Sequence, residues 1–165
     1  MPLKDLRVIT MPYWGFDKQT HAGGRLVVNA KVATGIVNTF KQIYAKRYPI
    51  RKMVLVDEYK GSDFDSIEAD NTSAFNCRAA TGSSNWSRHA YGMAVDINPC
   101  ENPYVDTAGT IYHKRCARYY TNRSGKLPGV ITGGDEVVRA FRTMNWKWGG
   151  YWAGTKDYQH FSASR

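Results

Sequence analysis

From Gly92 to Pro99 the chain reads GMAVDINP, and this strict alternation constrains the fold more than any other feature. Met93, Val95 and Ile97 fall on one side of an extended strand, and Ala94, Asp96 and Asn98 on the other. An acid therefore stands on the small, polar face of a strand whose opposite face is apolar. Elsewhere the period changes. After Asn29, the run AKVATGIVNTFKQIYAKRYP sets Val32, Ile36, Phe40, Ile43 and Tyr44 on one helical face. Asn29 is placed to cap its start, and Pro49 blocks its continuation. Glycines 133 and 134 lead into DEVVRAFRTMN, a second helix with Asp135 as its cap and Val137, Val138, Phe141 and Met144 turned inward.

The remaining segments are shorter. MVLVDEY, Met53 to Tyr59, reads as a buried strand, and WKWGGYW turns at Gly149–Gly150. The terminal DYQHFSA puts Tyr158, His160 and Ser162 on one face and Phe161 on the other. The acidic stretch from Asp57 to Asp70 lacks the ligand spacing and closing glutamate of a calcium loop, so it reads as a solvated loop. Helices and strands mix with no repeating strand–helix rhythm, which predicts an α+β fold with an antiparallel sheet. The 165 residues fit one domain, 1–165, long enough to bury a core.

Charge narrows the partners. Residues 1–55 hold ten basic and two acidic side chains, residues 56–106 three and nine, and residues 107–165 ten and three. A basic exterior around an acidic centre suits a polyanionic partner with a cation inside, although the charge can equally serve solubility alone. The bases are scattered singly and no nucleic-acid-binding motif is present, so an anionic cell-wall polymer is expected and nucleic acid is not. No stretch approaches the ~18 apolar residues that span a bilayer, so no membrane partner is expected. MPLKDLRVITMPYWGF has no uninterrupted apolar core, so it does not read as a signal peptide. Export by another route such as lysis, or a leader outside this chain, is the expectation. A monomer is expected.

Three cysteines cannot all pair within the chain. Cys100 and Cys116 bracket a loop poor in core residues and read either as a disulfide, contributing about 3 kcal/mol, or as two buried thiols. Cys77 reads as a small buried hydrophobe.

Two pieces, SRHAYGMAVDINP and KDYQHF, hold the residues with the most chemistry. His89 lies seven positions before Asp96, ahead of a turn at Gly92, and His160 follows Asp157 by three. Two neutral imidazoles and one carboxylate would form a three-ligand zinc set with the fourth position open to water. Either histidine alone reads more readily as a hydrogen-bonded structural residue than as a ligand. His21 and His113 sit in polar, loop-like settings and read as surface residues.

SRHAYGMAVD matches the S-x-H-x-x-G-x-A-x-D signature of the D-alanyl-D-alanine carboxypeptidase and L-alanyl-D-glutamate peptidase family. That family includes vancomycin-resistance D,D-peptidases and phage endolysins. WKWGGYWAGTKDYQHF resembles its second signature, an aromatic W-G-G-x-W stretch followed by D-x-x-H, and NTSAFNCR resembles the segment carrying its active-site arginine. The resemblance runs from roughly Gly23 to Phe161. It implies a zinc site in a cleft on a small antiparallel sheet with helices on one side. His89, Asp96 and His160 would then be the ligands, Asp157 the general base, and Arg78 the cation that stabilises the oxyanion. Ser87 would support the ligands, and Trp146, Trp148 and Trp152 would either wall the cleft or fill the core. The implied activity is hydrolysis of peptidoglycan stem peptides at the cell wall, outside the cytoplasm, as a lytic L-alanyl-D-glutamate endopeptidase of the endolysin type. A D-alanyl-D-alanine carboxypeptidase is the alternative. The hedgehog signalling domain shares this zinc fold, which keeps a non-catalytic zinc module as a reading from another class.

Overall fold

The computed structural model describes residues 1–117, 123 and 127–164. A long antiparallel hairpin opens the chain: β1, Leu6–Gly15, pairs with β2, Thr20–Asn29. The composition of the N-terminus hid it. Pro12 has no N–H to give the ladder, and the register shifts there, between Met11 and Tyr13. At the tip, Lys18 takes a left-handed conformation (φ 60°) and Asp17 Oδ1 accepts the Gln19 N–H. Ile9, Met11, Leu26 and Val28 face the core.

Helix α1, Ala33–Ala45, lays Ile36, Phe40 and Ile43 against that face. It starts later than expected. Asn29 closes β2 and its Oδ1 accepts from Lys31, while Val32 stands at the cap position without a side-chain bond. The helix stops through Arg47 (φ 52°), two residues before Pro49 opens the short strand β3, Pro49–Ile50, parallel to β1.

Met53–Tyr59 is not a strand. Both backbone groups of Val54 are taken by the Asn71 side chain, Oδ1 accepting its N–H at 2.9 Å and Nδ2 donating to its carbonyl at 3.0 Å. An amide that satisfies both groups replaces a ladder partner. Residues Val56–Tyr59 then coil into a 3₁₀ turn. The acidic stretch is likewise no solvated loop: Ser62 caps α2, Asp63–Glu68, and Asp70 is buried beside Arg51.

The second half carries β4 (Ala94–Asp96), β5 (Tyr104–Val105), α3 (Lys114–Ala117), α4 (Glu136–Arg142), β6 (Lys147–Trp148), β7 (Lys156–Asp157) and β8 (His160–Ser162). β4 and β6 flank β8 in an antiparallel sheet, and β5 pairs with β7. The α+β expectation therefore holds, with the strands divided among three small sheets. Asp135 caps α4 as expected, accepting the Val138 N–H at 2.9 Å. Phe141 of α4 stacks on Phe161 of β8 with ring centroids 4.2 Å apart and meets Phe40 of α1 edge-on at 6.3 Å. That aromatic column joins the hairpin half to the second half.

Cys100 and Cys116 form a disulfide, tying the segment after β4 to α3. Cys77 is exposed, against expectation, because it sits on the loop leading out to the cleft rim. Among the described residues no helix is long and apolar enough to cross a membrane.

Candidate functional site

Strand register brings the first two groups together. β4 and β8 pair so that Asp96 stands directly opposite His160, and His160 Nδ1 lies 3.0 Å from Asp96 Oδ1. The third group comes from the 3₁₀ turn Arg88–Tyr91. Ser87 caps that turn, its Oγ accepting the His89 N–H at 3.2 Å. Gly92 ends it with a left-handed φ of 63°, and a Cβ there would come within 2.5 Å of the Asn29 backbone nitrogen. Only glycine allows both the turn and the close approach of β2.

His89 Nε2 lies 3.1 Å from Asp96 Oδ2 and 3.2 Å from His160 Nδ1. All three side chains are buried. His89 Nδ1 is 2.5 Å from the Ala74 carbonyl, an acceptor, so Nδ1 carries the proton and donates. Nε2 of the neutral ring then presents a lone pair to another imidazole nitrogen and a carboxylate. Three electron-rich atoms facing one another repel unless a proton or a cation lies between them. Tetrahedral zinc with bonds of about 2.0–2.1 Å separates its ligand atoms by about 3.3 Å. The two imidazole nitrogens, 3.2 Å apart, fit such an ion, each lies 3.0 to 3.1 Å from a different oxygen of Asp96, and the three residues could hold one.

Burial works to raise the Asp96 pKa, but the charges and hydrogen bonds of His89 and His160 hold its carboxyl far below the usual range. Burial works to lower the pKa of His89 and Arg78 joins it, yet the charge and hydrogen bond of Asp96, with the bond to Ala74, together outweigh them and the value rises.

His89 and His160 line a cleft of about 680 Å³, with Asp96 buried behind them. Asp157 lines it from β7, which pairs with β5 so that Asp157 faces Tyr104. Asp157 Oδ1 is covered and has no hydrogen-bond partner among the described residues. Burial pushes this carboxyl up to about 6, helped by Asp96 and opposed by the two histidines. Gly149 makes room for it, since a Cβ there would stand 2.4 Å from the Asp157 carbonyl oxygen. Arg78 also lines the cleft, its Nε 2.9 Å from Asp63 Oδ1.

The tryptophans divide. Trp146 and Trp148 are core residues, whereas Trp152 lines the cleft with its ring 5.4 Å from His160. Trp86 and Tyr91 are exposed on the cleft and were not anticipated, and neither was Arg88, although all three lie in or beside the quoted motif. Asp63, the partner of Arg78, lay in the stretch read as solvent-facing. His21 is a surface residue but pairs with Asp17 at 3.0 Å. His113 is partly buried against Phe64 and near Glu68 rather than on the open surface.

A family model described as D-alanyl-D-alanine carboxypeptidase matches residues 81–163, half of the chain. The match contains His89, Asp96, Asp157 and His160 and begins three residues after Arg78. No curated protein and no solved structure matches the chain.

Proposed function

The chain belongs to the D-alanyl-D-alanine carboxypeptidase family of zinc peptidases, and on that premise we propose that it is a zinc-dependent endopeptidase cutting the L-alanyl-D-glutamate bond of peptidoglycan stem peptides. Family membership makes it a hydrolase of the peptidase type. The observation that carries the reading is the convergence of His89, Asp96 and His160 beside a buried carboxylate oxygen of Asp157 that has no partner.

Zinc bound by the three residues would supply Lewis acidity to the scissile carbonyl and acidify the attacking water. Asp157 is the base. Its Oδ1 takes the proton of that water and later returns it to the leaving amine, and the burial that raises this carboxyl above its ordinary value favours its holding the proton between the two tasks. Arg78, steadied by Asp63, meets the developing oxyanion with a fixed positive charge. Ser87 and the Ala74 carbonyl fix the backbone and tautomer of His89 so that Nε2 points inward.

The cleft supports an endopeptidase because its volume accommodates several residues, with Trp86, Tyr91 and Trp152 along it to contact chain on either side of the bond. The family description favours the second reading, removal of a terminal D-alanine. The basic flanks of the sequence support action on an anionic wall, outside the cytoplasm. Mass spectrometry of digested peptidoglycan tests both readings. New amino-terminal D-glutamate marks the endopeptidase and free D-alanine the carboxypeptidase. Neither product, or products that persist after chelation, would refute a zinc peptidase.

A further inference from the structure

Two guanidinium groups line the cleft, and they keep different company. Arg78 is paired with Asp63 at 2.9 Å and donates from Nη1 to the Ala79 carbonyl. Arg88 has neither kind of partner. Its half-buried side chain lines the cleft, no hydrogen bond or ion pair to it is formed among the described residues, and its Nη2 is covered without meeting an acceptor. Asp157, the carboxylate that lines the same cleft, makes no ion pair with it.

A partly desolvated cation without an anion is an unfavourable arrangement that a bound carboxylate would correct, and guanidinium matches carboxylate in a two-bond geometry. Its position limits which carboxylate. Arg88 lines the same cleft as His89, His160 and Asp157, so its charge faces a substrate bound there. In both candidate substrates the nearest carboxylate lies on the residue immediately beyond the scissile bond. D-glutamate in a stem peptide continues through its γ-carboxyl and leaves its α-carboxylate free, and a terminal D-alanine ends in one.

We infer that Arg88 anchors the free α-carboxylate of the residue that follows the scissile bond. The inference rests on the peptidase reading above. It makes Arg88 a specificity-determining residue and leaves Arg78, already neutralised in part by Asp63, to the oxyanion. It also predicts discrimination against stem peptides whose D-glutamate is amidated to D-isoglutamine, a neutral group of the same shape.

Steady-state kinetics on the zinc-loaded full chain tests this with paired peptides. One pair carries D-glutamate or D-isoglutamine after L-alanine, and the other ends in D-Ala-D-Ala as acid or as amide. The pair that is cut identifies which carboxylate is read. The wild-type protein should prefer the acid about 10- to 100-fold, the range expected for hydrogen bonds to a charged group. Arg88→Gln should erase that preference chiefly by raising KM for the acid, with zinc content kept, and Arg88→Lys should retain part of it. Equal loss on acid and amide would assign Arg88 a structural role and overturn the inference, as would a preference that survives Arg88→Gln. Wild-type protein that cuts acid and amide equally overturns it without any variant. Failure to cut either pair, or intact peptidoglycan, removes the peptidase reading itself.

Discussion

The hairpin half, residues 6–50, and the site-bearing half, residues 73–163, are specified by different forces. In the first, β1 and β2 pair along most of their ten residues, and α1 covers their apolar face with Ile36, Phe40 and Ile43. A long backbone ladder together with hydrophobic burial defines that arrangement. In the second, no strand exceeds three residues, and buried side-chain amides do the positioning. Asn98 accepts the Arg51 N–H at 3.0 Å and donates to the Pro49 carbonyl at 2.8 Å. Asn102 accepts the Ile131 N–H at 2.7 Å and donates to the Gly129 carbonyl at 2.8 Å. Short strands leave many backbone groups without ladder partners, and buried amides satisfy them. Apolar packing and a long ladder fix the scaffold, while directional bonds bring His89, Asp96 and His160 together as a group that could hold a metal ion.

If that division is right, changes in the site half should remove chemistry while the fold persists. The largest effect is expected for His160→Ala, which should abolish zinc retention and activity together. Metal analysis with circular dichroism checks it, and a fully active variant would exclude His160 as a ligand. Next comes Asp157→Asn, which should keep zinc and fold yet lose about 10²- to 10⁴-fold in kcat, because an amide cannot accept the water's proton. For the wild type, the base works only when ionised, so kcat/KM should fall as the pH drops below about 6. A bound dication would draw that limb lower, never higher. A limb above pH 7 that persists in Asp157→Asn would place the base elsewhere.

The hairpin half should behave in the opposite way. Phe40→Ala empties a fully buried position under the aromatic column and should cost about 3–5 kcal/mol of stability. Below its lowered Tm the protein should retain zinc and kcat, so denaturation and turnover measured on one sample sharpen the contrast. A parallel loss of kcat would show that scaffold packing tunes the site directly. Reducing the Cys100–Cys116 disulfide should cost about 3 kcal/mol or less, read as a shift in the urea midpoint.

The last effect concerns Glu101, which joins Asp70 around Arg51. Burial first, then Asp70, push its carboxyl from 4.5 up to about 8, against the pull of Arg51. A raised carboxyl contributes stability that is fully present below about pH 4.5 and is lost as the pH climbs through about 8. Glu101→Gln should flatten the decline in urea midpoint across that window. An unchanged slope would assign the decline to other groups.

Much of this was legible before any coordinates. The face of α1, the Asp135 cap, the turn at Gly149 and the residues now found together at the cleft were read from periodicity and from two short signatures. The misreadings share a cause. Val54 looked like strand, but its backbone groups go to Asn71, seventeen residues away, and the acid Asp63 looked solvated while it holds Arg78, fifteen residues away. Hydrophobic period reports which face is buried, not which distant polar group completes a bond.

By itself the sequence determined the α+β class, the polar faces of the strands carrying Asp96 and His160, and the glycine that lets His89 turn toward them. Those follow from local rules: side chains alternate along a strand, and only glycine enters the left-handed region at such close quarters. Tertiary structure alone decided the pairing of β4 with β8 that sets Asp96 opposite His160, and the Ala74 carbonyl that turns the His89 lone pair inward. It also decided that Arg78 is paired while Arg88 lines the cleft without a side-chain partner among the described residues. Charge and hydrogen bonding act through space, so the partner of each group became fixed only when the chain had folded.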